Sequence, residues 1–117
     1  MPIIYGIGCH RSVSLEKLHI KHYIDDIGIL EIKIIEVEKS KYYPEGVKYS
    51  LVFARKTKYG FDAEYLRYDN HNKEGHHKHV KGKVFRYVFT NVETLVSDFI
   101  SELQSLLREK DIEIDLF

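Results

Sequence analysis

The segment Arg67-Tyr68-Asp69-Asn70-His71-Asn72-Lys73-Glu74-Gly75-His76-His77-Lys78-His79 gathers most of the side chains in this sequence that could do chemistry. Four of the seven histidines fall between positions 71 and 79. Imidazole titrates near neutrality, so a histidine can take up and release a proton at working pH. Cleavage of RNA by attack of its own 2′-hydroxyl needs a base at that hydroxyl, an acid at the leaving oxygen and a cation at the phosphate, and histidine, arginine and lysine supply all three. The expectation is His77 and His79 as proton carriers, Arg67 on the phosphate and Asp69 orienting a histidine or the arginine, with no cofactor. Asn70, His71, His76 and Lys78 are the candidates for holding substrate. Neutral imidazole is also a common metal ligand, so an alternative set of Asp69, His71, His77 and His79 would hold zinc or a related divalent ion. The spacing His76-His77-Lys78-His79 lacks the paired-ligand regularity of a zinc finger. A plainer reading makes Arg67 and Asp69 a sheet salt bridge worth ~0–1 kcal/mol if exposed, and Tyr68 a core residue.

Strands must position this cluster. Phe61 to Asn70 alternates, so Arg67 and Asp69 share one face with Phe61, Ala63 and Tyr65, while Leu66, Tyr68 and Asn70 take the other. Asn70 to Gly75 is polar and glycine-ended and reads as a loop; where the chain re-extends, His77 and His79 again share a face. Upstream, Leu18, Ile20 and Ile24 mark a first strand, and Asp25-Asp26-Ile27-Gly28 a turn in which Gly28 takes positive φ. In Ile29 to Glu38, Leu30, Ile32 and Ile34 share a face before Ile35 and Val37 take the second, a change of phase that a bulge or a change in which face is covered would explain. Val47, Tyr49, Leu51 and Phe53 define a third strand, and Lys83 to Phe89 a fifth after the one at 61–70.

One helix is well specified. Thr90 and Glu93 have capping-box spacing, with Asn91 as an alternative cap. Val92, Leu95, Val96, Phe99, Ile100, Leu103, Leu106 and Leu107 then form one apolar stripe. The expected fold is α+β: an antiparallel sheet of about five or six strands covered on one face by a C-terminal amphipathic helix.

The 117 residues suit one domain. Residues 1–14 are expected to form an arm or edge strand, and the acidic segment 111–117 a tail or edge strand. Basic and acidic residues number eighteen each, so total charge does not mark a nucleic-acid binder. The balance is uneven along the chain: residues 71–87 carry a net excess of four positive charges with histidines neutral, and residues 108–117 a net excess of two negative ones. Cys9 stands alone, which excludes an internal disulfide and suits a reducing cytoplasm. No signal peptide and no membrane-spanning apolar run is expected.

The run Leu66-Arg67-Tyr68-Asp69-Asn70 followed by Gly75-His76-His77-Lys78-His79-Val80 resembles the TumE-type toxin family of prokaryotic toxin–antitoxin systems. The passage Asp25-Asp26-Ile27-Gly28-Ile29-Leu30 and the amphipathic segment from Thr90 to Leu107 resemble the rest of that family, so the similarity spans roughly residues 16–107. Many relatives have a proline-bearing segment ahead of the histidine pair; Lys73-Glu74-Gly75 stands there instead. The resemblance implies a small growth-blocking toxin acting on RNA, with a helix-turn-helix antitoxin as partner and Arg67, Asp69, Asn70, His77 and His79 at motif positions.

Three functions follow as expectations. The first is an endoribonuclease toxin with histidine acid–base chemistry. The second is a metal-dependent nuclease or other hydrolase using Asp69 and the histidines. The third is a non-catalytic module that binds protein or nucleic acid through a sheet edge or basic loop. No membrane association is expected, and a homodimer is left open.

Overall fold

A computed structural model describes residues 15–71 and 75–110, with only the backbone of 15–17. The expectations for residues 1–14, for 111–117 and for most of the loop after Asn70 lie outside the described residues. The described chain forms six strands and one helix: β1 (Leu15–Ile24), β2 (Gly28–Glu36), β3 (Val47–Thr57), β4 (Gly60–Asp69), β5 (His77–Val80), β6 (Lys83–Arg86) and α1 (Val92–Arg108). The strands lie in chain order in one antiparallel meander, so every strand pairs with the one before it. This is the α+β arrangement that the sequence pattern predicts.

The helix covers one face. Leu30, Ile32 and Ile34 of β2, Tyr49, Leu51 and Phe53 of β3, and Leu66 and Tyr68 of β4 are buried beneath Leu95, Phe99, Leu103 and Leu107 of α1. Each such side chain contributes ~1.5–3 kcal/mol by leaving water. Tyr68 meets Phe99 edge-on at 5.4 Å between ring centres. Polar ties fix the helix over β4 and β5: Tyr68 Oη donates to Glu102, Lys78 Nζ donates to the same carboxylate at 2.9 Å, and Tyr87 Oη donates to Asp98 at 2.7 Å. The helix opens at Asn91, whose Oδ1 accepts from the Thr94 amide at 2.7 Å. Asn91, and not Thr90, is therefore the cap. No helix among the described residues is long and apolar enough to cross a membrane.

Three local readings change. β2 pairs with β3 in unbroken register, so no bulge interrupts it; Ile35 simply sits half-buried on the face away from the helix. The slips fall elsewhere, in β1 between Glu16 and Leu18 and in the β3–β4 pairing between Phe53 and Arg55. The second slip leaves Ala63, Glu64 and Tyr65 facing Ala54 alone, because Leu66 pairs with Phe53 and Asp62 with Arg55. Tyr65 thus turns into the core, 4% exposed and edge-on to Phe53, instead of sharing the face of Arg67. Finally, the positive φ in the β1–β2 turn belongs to Asp25 and not to Gly28. Gly28 is needed for space: a Cβ there would lie 2.4 Å from the Ala54 carbonyl oxygen.

Candidate active site

Strand alternation sorts the cluster onto two faces. On the face away from α1, Asp69 pairs with His77 and Arg67 with His79 across β4 and β5. The adjoining positions are Ser50 and Val52 on β3 and Arg86 and Val84 on β6. No element among the described residues packs over this face.

Asp69 is the anchor, 1% exposed. Its Oδ2 accepts from Arg67 Nη1 at 2.6 Å, and its Oδ1 lies 2.8 Å from His77 Nε2. The second approach is close but oblique, so Oδ1 receives no aligned hydrogen bond. His77 Nδ1 donates to the Gly75 carbonyl at 3.0 Å. Both nitrogens of His77 therefore lie near oxygen acceptors, one of them in an aligned hydrogen bond. A buried carboxylate needs a charged partner such as Arg67, because an uncompensated one costs several kcal/mol.

Glu64 supplies the second carboxylate. It accepts from Arg67 Nη2 at 2.7 Å and lies 2.9 Å from His79 Nδ1. Neither ring nitrogen of His79 has an aligned hydrogen bond among the described residues, though both are buried. The rings of His77 and His79 meet edge-on with centres 5.1 Å apart. Arg67 is pinned between two carboxylates while three of its five N–H groups remain for another ligand. Nothing in the sequence signals Glu64: in a regular strand it faces away from Arg67, and only the slip in β4 brings them together.

The remaining candidates lie elsewhere. Asn70 is 2% exposed and fully engaged by β3: its Oδ1 accepts from the Tyr49 amide and its Nδ2 donates to the Val47 carbonyl, both at 2.9 Å. His76 is on the helix side, stacked against both Tyr49 and Phe89 at 5.6 and 4.8 Å, with Nδ1 2.8 Å from Tyr49 Oη and Nε2 3.1 Å from Glu45. Burial pushes the Tyr49 phenol far above its ordinary value, so it stays protonated and can donate to His76. Lys78 also faces α1, bound to Glu102 and lying over the Tyr68 ring. The alternation of β5 thus separates His76 and Lys78 from His77 and His79. His71 is exposed just past the end of β4.

A metal would find three ligands on the face away from α1: one ligand atom each from Asp69, His77 and His79 lies within 4.8 Å of the others. His71 is not part of that group. The donor set of two imidazoles and a carboxylate suits zinc or another divalent first-row ion.

A family model described as toxin TumE matches residues 5–107. No curated protein and no solved structure gives a match.

Proposed function

Since the chain belongs to the TumE toxin family, a group of toxins partnered by antitoxins, we propose that it blocks growth by cleaving RNA with His77 and His79 as proton carriers. The single observation that carries this reading is the pair of imidazoles 5.1 Å apart, each beside a carboxylate, with a guanidinium between those carboxylates. His79, with no aligned hydrogen bond on either nitrogen, takes the proton of a 2′-hydroxyl as that oxygen bonds to phosphorus. His77, facing two acceptors, gives its proton to the departing 5′-oxygen as the phosphorus–oxygen bond breaks. The products are a 2′,3′-cyclic phosphate and a free 5′-hydroxyl. Arg67 places its remaining N–H groups on the phosphate, where negative charge builds. Asp69 and Glu64 hold His77, His79 and Arg67 in place. Glu64, the more exposed carboxylate, moves aside as substrate reaches His79. The reaction takes place in the cytoplasm, and the partner is a helix-turn-helix antitoxin.

The test is an RNA digest at low protein concentration with the wild type, His77→Ala and His79→Ala. Each substitution is expected to cut the rate by ~10²–10⁴-fold, the usual worth of a positioned acid or base. Equal cutting by all three proteins overturns the mechanism.

A second reading rests on the close approach of ligand atoms from Asp69, His77 and His79. In that reading they hold a divalent ion that activates water for hydrolysis. A chelator titration separates the two: loss of activity restored by zinc or manganese favours the metal, and unchanged activity after exhaustive chelation favours the imidazoles alone.

A further inference from the structure

The face that carries the site continues past it. Across β3, β2 and β1, the strand register carries the Asp69 row on to Ser50, Lys33 and His19, and the Arg67 row on to Val52, Glu31 and Lys21. These two neighbouring rows cross the whole sheet on the side away from α1. Ser50 and Val52, the side chains next to the site, are small and half-buried, so the floor there is low. Lys21 and Lys33 beyond them are exposed, as is Arg86 at the other end, beside His77. Neighbouring strands lie ~4.8 Å apart, which places the strand of Lys33 ~14 Å and that of Lys21 ~19 Å from the strand of the two imidazoles. The carboxylate between the lysines, Glu31, is engaged by His19 at 2.9 Å, and that bond holds its carboxyl below the usual carboxylate range.

We propose that these two rows form a trough for single-stranded RNA, with Lys21 and Lys33 binding phosphates on one side of the scissile bond and Arg86 binding on the other. The inference rests on the reading of the site as an RNA-cleaving one. The occupant is polyanionic because cations stand at both ends of a line that passes over the imidazoles. It is single-stranded because attack by a 2′-hydroxyl requires the sugar and phosphate to swing into line, which a regular duplex prevents. A sheet face over which no described element packs also suits unpaired nucleotides, whose backbone and bases are both accessible.

The experiment measures fluorescence anisotropy of a labelled single-stranded RNA, a matched RNA duplex and a protein antitoxin. The protein is the full chain carrying His77→Ala and His79→Ala, so that the probe survives. Lys21→Gln and Lys33→Gln are added singly and together, and Lys58→Glu, at the tip of the β3–β4 turn, matches the double variant's change in net charge. The double lysine variant is expected to bind single-stranded RNA at least tenfold more weakly than the Lys58 control. Its slope of log affinity against log salt should fall by ~0.7 for each phosphate that the variant no longer neutralises. Duplex RNA should bind more weakly than the single strand. Affinity and salt slope equal to those of the Lys58 control overturn the trough, as does loss of antitoxin binding with RNA affinity unchanged, which would give the face to the antitoxin. The cleavage assay is separate. A wild type that cuts RNA while the lysine variants bind like the control leaves the activity standing and removes the trough. Lysine-dependent binding by a protein that never cuts does the reverse.

Discussion

Glu64 and Arg67 stand three positions apart in β4, a spacing that puts side chains on opposite faces of a regular strand, yet Glu64 Oε2 accepts from Arg67 Nη2 at 2.7 Å. The slip that sets three residues of β4 against Ala54 turns Glu64 onto the face of Arg67 and His79. A strand irregularity thus completes the candidate site, as bulges beside active sites often do by re-aiming one side chain.

Removing that carboxylate should therefore disturb the chemistry and not the fold. Glu64→Gln keeps the shape but loses the charge facing His79 and Arg67. We expect kcat for RNA cleavage to fall ~10-fold or more, with the thermal midpoint unchanged within a degree or two. Matched steady-state kinetics and melting curves check this; an unchanged kcat would mean Glu64 only covers the site.

Asn70 should behave in the opposite way. Its amide closes the end of the β3–β4 pairing by serving the Tyr49 amide and the Val47 carbonyl. Asn70→Ala leaves both of those backbone groups without this partner, at ~1–3 kcal/mol each for a buried group. Urea denaturation should show a lower midpoint with little change in slope. Residual RNA cleavage per folded molecule should stay near that of the wild type.

At Gly28 the expected cost is steric. A Cβ would lie 2.4 Å from the Ala54 carbonyl oxygen and 2.7 Å from Phe53 Cζ. The ring can shift, but the backbone carbonyl is held in the β2–β3 ladder. Gly28→Ala should destabilise by ~1–3 kcal/mol, the range for overpacking. Denaturant unfolding measures it, and a stability equal to wild type would mean that the β1–β2 hairpin yields freely.

Stability should also fall in alkali. Burial, with the hydrogen bond to Glu102, pushes the Tyr68 phenol far above its ordinary value, and Tyr49 and Tyr87 are raised as well, each chiefly by burial. A raised group holds its proton more tightly folded than unfolded. Its contribution is intact below pH ~10, where an unfolded tyrosine begins to ionise, and is lost as pH rises further. The loss per tyrosine is at most ~1.4 kcal/mol per pH unit. Unfolding free energies at pH 8, 10 and 11 should show the decline, and Tyr68→Phe should make it shallower.

Much of this arrangement was legible in the residues. The stripe from Val92 to Leu107 reads directly as the buried side of α1, because helical spacing and burial are the same fact seen twice. The pairing of Arg67 with Asp69 and of His77 with His79 follows from alternation within short regular strands. What sequence periodicity misses is what depends on register. The slip opposite Ala54 misplaces Tyr65 and hides Glu64, since alternation carries no mark of where a strand gains residues. The unbroken register of β2 leaves Ile35 on the face away from α1, where an isoleucine looks like a change of phase. His76 and Lys78 read as members of one histidine-rich cluster because adjacency in sequence is mistaken for adjacency in space; Lys78 in β5 points towards α1, and His76, just ahead of β5, stacks on Tyr49 and Phe89.

β5 and β6 are only four residues long each, and all four residues of β6 are exposed. His77 and His79, the proposed proton carriers, stand on the first of them, outside the tightly packed centre built on β2, β3 and α1. Small, weakly buried units of this kind open at free energies well below that of global unfolding. The amides of His77–Arg86 should therefore exchange with solvent hydrogen sooner than those of Tyr49–Phe53. The toxin would then be inactivated by peeling of one hairpin while its centre stays folded, so any partner that clasps this margin or pries it loose would govern activity without touching the core.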